Sequence, residues 1–203
     1  MCQYRPSFPM RCLCGCGTWV ICGTDLKMRA SRMGLNMLSP IMGHEVAGEV
    51  AEVGSQVQGV QPGDCVTVNF YVTCGYCQFC RIGRDTLCTD VRQYGFSMDG
   101  GFAEYLKTPA VNLCQVPVHA PRERTCILSD AVATSYHAVT KRAQIHPGHT
   151  VAIVGVGGVG LHALQMARLA GGLVIAIDVN AEVEVAFEVL RQGRSLWRNV
   201  LAI

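Results

Sequence analysis

Apolar and polar residues alternate through Val46-Ala-Gly-Glu-Val50-Ala-Glu-Val53, a period of two that predicts a half-buried strand ending at Gly54. Pro62-Gly63-Asp64 predicts a turn, and Cys65-Val-Thr-Val68 a short strand after it. Val20 and Ile21 end a short strand at the turn Cys22-Gly-Thr-Asp25, and Gly100-Gly101 turns into a strand that reaches Tyr105. Short strands with Gly and Pro punctuation continue to about residue 118, which predicts an irregular β-rich domain. Residues 122–143 change to helical order, with Leu128, Ala131, Ala133 and Ala138 in a segment that Pro147-Gly148 closes. Val151-Ala-Ile-Val154 predicts a compact buried strand, followed by a helix to Leu169 and a second strand, Leu173–Ile177. Val183, Ala186, Val189 and Leu190 predict a further helix over residues 182–192, stopped at Gly193, and Leu196–Ile203 a closing strand. Residues 1–21 show no helical pattern. Cys12, Cys14 and Cys16 follow Pro6 and Pro9, and the segment reads as a disordered leader with incidental cysteines in preference to a metal-thiolate tail.

Composition narrows the class. Half of the 203 residues are hydrophobic, enough for a real core, and a net charge of +2 argues for neither nucleic acid nor an acidic membrane face. No window approaches the apolar length of a membrane span, and the N-terminus lacks the layout of a secretory signal. The 12 cysteines are therefore expected as reduced thiols in the cytoplasm.

Four of those cysteines have metal-ligand spacing. Cys74, Cys77, Cys80 and Cys88 stand at C-x2-C-x2-C-x7-C, and four thiolates close a tetrahedral zinc site with no open position, which is a structural site. An iron–sulfur cluster competes, but it usually asks for three residues before its last cysteine and a proline after it. Here there are seven, and Thr89 follows. Unrelated core or disulfide cysteines are the bland alternative.

The strand Val151–Val154 runs directly into Gly155-Val-Gly157-Gly158-Val159-Gly160, and Asp178 ends the next strand 18 residues after the last glycine. That strand, turn, helix and strand order is the dinucleotide fingerprint. The first glycine permits the turn, the second lets backbone N–H groups approach the pyrophosphate, and the third lets helix and strand pack closely. Asp178 suits the ribose hydroxyls and repels a 2′-phosphate, so NAD is expected over NADP.

In this order, Cys22-Gly-Thr-Asp25, Gly43-His-Glu45, the Cys74–Cys88 lobe and Gly155–Gly160 with Asp178 resemble the zinc-dependent alcohol dehydrogenases of the medium-chain dehydrogenase/reductase superfamily, over roughly residues 20–203. The resemblance implies a mixed α/β fold: an irregular β-rich GroES-like catalytic domain plus an incomplete Rossmann-type nucleotide-binding domain. The expected division is an atypical leader at 1–21, the catalytic domain at 22–144 with its zinc lobe at 74–88, a partial Rossmann domain at 145–180, and a helix and strand at 181–203 that return to the catalytic domain.

It implies two zinc ions and NAD. Cys22, His44 and Asp130 would hold the catalytic zinc, with Cys126, one helical turn before Asp130, as the competing third ligand. Glu45 would lie beside that metal, Asp25 would orient His44, and Thr24 would pass a hydroxyl proton outward. Lys27 stands where some relatives carry a relay histidine. Cys74, Cys77, Cys80 and Cys88 would hold the structural zinc. Gly155, Gly157, Gly158, Val159, Gly160, Asp178, Thr134 and Arg198 would serve the cofactor. His119, His137, His146, His149 and His162 read as surface or packing residues. The implied reaction is hydride transfer between a small alcohol and NAD, giving an aldehyde or ketone, with the alkoxide held on zinc.

The family forms homo-oligomers through its nucleotide-binding sheet. After Asn180 this chain passes at once to residues resembling the family's C-terminal helix and strand, so an internal deletion joined near Asn180–Ala181 is expected. That join leaves the assembly open. It also gives a second expectation, a truncated non-catalytic zinc-binding member of the family: a splice form, gene-model error or degraded copy.

Overall fold

The computed structural model describes residues 11–30, 41–179 and 200–202. Its strands are β1 (Arg11–Val20), β2 (Glu45–Val53), β3 (Cys65–Val68), β4 (Tyr71–Val72), β5 (Arg92–Gln93), β6 (Tyr105–Pro109), β7 (Leu113–Gln115), β8 (Thr150–Val154), β9 (Leu173–Ile177) and β10 (Val200–Ala202). Its α-helices are α1 (Gly23–Arg29), α2 (Gln78–Arg81), α3 (Arg122–Thr125), α4 (Ala131–Tyr136) and α5 (Gly158–Leu169). The chain forms two compact units, one of Met1–Ser129 with Val200–Ile203 and one of Asp130–Asn199. The helical segment from Asp130 thus belongs to the second unit rather than to a domain ending at 144. Among the described residues no helix is long and apolar enough to cross a membrane.

The first unit is a sheet in the order β10, β1, β2, β3, β7, with β6 also on β1. β1 is its hub. One edge pairs antiparallel with β2 over its length. The other edge takes β6 at Arg11–Gly15 and β10 at Thr18–Val20. Part of the segment read as a leader is therefore the strand on which the sheet is built. The reason is visible in its periodicity: Cys14, Cys16, Thr18 and Val20 alternate inward and are buried. In such a strand cysteine acts as a small apolar residue. Cys14 and Cys16 join Val46, Val50, Val66 and Leu106 in the core.

Between β3 and β7 the chain makes the excursion that carries the cysteine lobe. Asn112 anchors its base, its side-chain amide donating to the carbonyls of Asn69 and Tyr71, each at 2.8 Å.

In the second unit α4 passes into a π-helical turn, His137–Arg142, and α5 packs on the parallel pair β8 and β9. The first of these strands was expected to be a buried run. Instead Val151, Ile153, Val174 and Ala176 are partly buried while Val154, Leu173, Ile175 and Ile177 are exposed. A parallel sheet is normally covered on both faces, and among the described residues only one face of this pair is covered. Burial among the packed residues of α5 lowers the pKa of His162. The expected helix at 182–192, the join at Asn180–Ala181 and Arg198 lie outside the described residues.

Candidate metal centres and the glycine turn

Cys22 follows β1 and is the N-cap residue of α1, where the chain turns because Asp25 in the first helical turn accepts the Cys22 N–H at 2.7 Å through Oδ2. The other oxygen of the same carboxylate, Oδ1, lies 3.2 Å from His44 Nδ1. Asp25 therefore ties the two candidate ligands together and leaves His44 Nε2 as the ring nitrogen for a metal. Asp25 and His44 are each 2% exposed and Glu45 is fully buried. The Cys22 sulfur, a nitrogen of His44 and an oxygen of Glu45 lie within 4.8 Å of one another. Buried carboxylates, an imidazole and a thiol in one place form a set whose negative charge is costly unless a cation shares the space. A divalent ion fits it.

The His44 ring packs against Phe96, at 5.0 Å between centroids, and Phe70, at 5.4 Å, and those two rings stack on each other at 6.1 Å. Neither aromatic has a sequence spacing that signals the role. His44 is also fixed from behind. Gly43 has φ +97°, and Gly100 packs so closely that a Cβ there would lie 2.2 Å from the Gly43 carbonyl oxygen. Gly101 N–H donates to that same oxygen at 2.8 Å. Gly100-Gly101 is thus more than a turn: it is the backbone contact that seats the histidine.

The lobe sulfurs Cys74, Cys77, Cys80 and Cys88 also converge within 4.8 Å. None is in a disulfide. Cys77 Sγ is 3.6 Å and Cys74 Sγ 3.9 Å from Cys80 Sγ. Tetrahedral sulfurs with bonds of about 2.3 Å to one zinc stand about 3.8 Å apart, so this set fits the metal. Backbone donors are already aimed at the sulfurs: Cys74 N–H at Cys88 Sγ and Cys77 N–H at Cys74 Sγ, both 3.3 Å. The amides of Cys80 and Thr89 lower the Cys77 pKa to about 6. Desolvation, with the neighbouring Cys77 and Cys88 sulfurs, pushes Cys80 up to about 12. Four crowded sulfurs cannot all be thiolates without a positive centre.

In the second unit Gly155 takes φ +85° to turn the chain from β8 into α5, and its N–H donates to Ile177 O at 2.8 Å. A Cβ on Gly160 would lie 1.8 Å from the Gly155 carbonyl oxygen, while one on Gly157 would meet nothing within 4 Å. The third glycine is thus the packing glycine and the second faces open space, as the fingerprint expects. Asp178 Oδ2 accepts the Val156 N–H at 2.6 Å, linking the end of β9 to the turn. Gly158, Val159 and Gly160 form the first turn of α5.

Asp130 is the first residue of the second unit and precedes α4, where its carboxylate accepts the Thr134 hydroxyl at 2.9 Å. Cys126 is not among the residues gathered around Cys22 and His44. It is fully buried with Val20 and Ala47, its thiol donates to Glu123 O at 3.4 Å, and burial raises its pKa. Thr24 is half-buried and Lys27 exposed on α1.

Comparison with known proteins bears on these sites. The family described as the alcohol dehydrogenase GroES-like domain matches residues 16–118. An alcohol dehydrogenase of Geobacillus stearothermophilus is 37% identical over 164 residues, which are 80% of this chain and 48% of that protein. An L-galactonate-5-dehydrogenase of Escherichia coli K12 is 34% identical over 160 residues, 79% of this chain and 46% of that protein. Among solved structures, galactitol-1-phosphate dehydrogenase from Escherichia coli superposes with a TM-score of 0.83 at 30% identity, covering 91% of this chain and 53% of that one. The alcohol dehydrogenase of Aeropyrum pernix gives 0.82 at 33% identity, covering 97% and 60%. The chain spans about half the length of the curated relatives it matches.

Proposed function

This chain belongs to the zinc-dependent alcohol dehydrogenases of the medium-chain dehydrogenase/reductase superfamily, and on that premise we propose that it exchanges a hydride between a small alcohol and NAD. The observation that carries the proposal is the buried set of Cys22, His44 and Glu45, fixed by the Asp25 carboxylate. Cys22, His44 and Asp130 would hold a catalytic zinc, with Glu45 beside it. The core packing of Cys126 favours Asp130 as the third ligand. Cys74, Cys77, Cys80 and Cys88 would hold a structural zinc.

When bound at an open position, zinc is a Lewis acid that lowers the pKa of a coordinated hydroxyl. The rest falls to the protein's own residues. Asp25 holds His44 in one tautomer. Phe70 and Phe96 keep water from the imidazole face and lower the local dielectric. Thr24 takes the hydroxyl proton outward, and Lys27 stands where the next relay group would be. Gly155 turns the chain and Gly160 lets helix and strand pack, so that Gly157, Gly158 and Val159 offer backbone N–H groups to the pyrophosphate; Asp178 takes the ribose, and Thr134 and Arg198 serve the same cofactor. The substrate is a small alcohol or the matching aldehyde or ketone.

One observation favours a second reading, a zinc-binding family member without turnover. Among the described residues the sheet behind the glycine turn is the pair β8 and β9 with an exposed apolar face. Positioning the nicotinamide takes a firm platform. Alcohol-dependent NADH formation by the purified zinc-loaded chain, lost in Cys22→Ala, is the expected result. A folded preparation with both metals and no NADH formation selects the second reading.

A further inference from the structure

Two histidines that the dehydrogenase chemistry leaves unused stand on one turn. In His146-Pro147-Gly148-His149 the His149 N–H donates to the His146 carbonyl at 3.2 Å. Pro147 supplies the fixed φ of the second position, and Gly148 takes φ +95° at the third. That is the geometry of a type II turn, which brings its first and last residues side by side. The two imidazole rings are in contact, with centroids 3.6 Å apart and planes tilted by 44°. His146 is exposed and His149 half-buried.

The turn also sets the chemistry of one ring. His146 Nδ1 lies 3.3 Å from the Pro147 carbonyl oxygen. A carbonyl only accepts, so Nδ1 carries the proton there and the lone pair is on Nε2, turned away from the backbone. A backbone carbonyl on one ring nitrogen is the usual way that an imidazole is oriented toward a metal.

We propose that His146 and His149 form a site for a divalent transition-metal ion, distinct from the Cys22–His44 and Cys74–Cys88 sets. Paired neutral imidazoles suit Cu²⁺, Ni²⁺ and Zn²⁺ and are poor ligands for Mg²⁺ or Ca²⁺. Two nitrogens bound to one ion at about 2.0–2.1 Å stand roughly 3 Å apart. With the His146 ring held by the Pro147 carbonyl, the His149 ring in contact with it meets that spacing by turning about its own Cβ–Cγ bond. The turn has fixed the backbone of both ligands beforehand, so little ordering is left for binding to impose. Water fills the other coordination positions at this exposed place. The site precedes β8, at the opposite end of that strand from the glycine turn, so an ion here and a nucleotide there would not compete for the same groups.

Ni²⁺ titration of the full, zinc-loaded chain by calorimetry tests the site, with zinc content measured before and after. A Ni²⁺ site whose affinity falls tenfold or more in both His146→Ala and His149→Ala, and stays within twofold in the exposed control His119→Ala, is the expected result. His146→Gln and His149→Gln, run in parallel, keep size and polarity and should show the same loss. Unchanged affinity in either turn variant, or an equal fall in His119→Ala, overturns the site and leaves the pair as a packing contact.

Discussion

Single side chains set the terms of the candidate catalytic centre. Asp25 touches both the Cys22 backbone and the His44 ring, so one substitution should loosen two ligands. Asp25→Ala is expected to lower metal affinity at that centre by about ten- to hundredfold, with Asp25→Asn less affected because one oxygen acceptor is kept. Competition with a chelating dye, read against the retained lobe metal, checks this. Cys16 makes a different prediction. Burial holds its thiol neutral in the folded state, up to about 12, while an unfolded cysteine ionises near 8.5. A raised folded pKa means that the contribution is whole below the unfolded value and is lost as pH rises from there toward 12. Between pH 8 and pH 10 the native chain should therefore lose about 2 kcal/mol more stability than Cys16→Ala, as read from urea unfolding.

At the scale of elements, the cysteine lobe behaves as one unit. Its backbone N–H donors already point at sulfur before any ion is considered. Metal uptake must still remove protons. Cys77, lowered to about 6, is already a thiolate at pH 7.5 and releases little, whereas Cys80, raised to about 12, gives up its proton only on binding. Zinc affinity of the lobe should rise with pH across the neutral range and fall steeply below about 6. Calorimetry in buffers of different ionisation enthalpy measures the released protons. A pH-independent affinity would contradict this account. The glycine junction of Gly43, Gly100 and Gly101 is the other element-level device, because it joins the chain before β2 to the loop before β6 through close backbone approach and backbone hydrogen bonds, with the Phe102 and Val46 side chains packed against it.

At the scale of the whole molecule, the two units differ, among the described residues, in how well they cover their apolar surface. The first buries a continuous core on and around β1, β2 and β3. In the second, Val154, Leu173, Ile175 and Ile177 face outward from the parallel pair β8 and β9. An apolar face of this kind favours self-association. Ile175→Lys should raise the concentration at which the chain self-associates, seen by light scattering, with zinc content unchanged. Equal self-association in the variant would place the contact elsewhere.

The sequence by itself determined the chemistry that depends on spacing. Cys74, Cys77, Cys80 and Cys88 can be read as one site because close spacing brings their sulfurs together, and Gly155, Gly157 and Gly160 can be read as a turn from their spacing between strand and helix. The order of the four motif blocks carried the family. What the sequence did not disclose depends on contacts distant in the chain. The inward alternation of Cys14, Cys16, Thr18 and Val20 was hidden by reading the segment as a disordered leader with incidental cysteines, and it took the pairing with β2, β6 and β10 to show a central strand. The aromatic walls Phe70 and Phe96, the seat that Gly100 makes for His44, and the exposed face of β8 and β9 are likewise products of packing. Burial is a property of neighbours, and neighbours far apart in sequence are chosen by the fold.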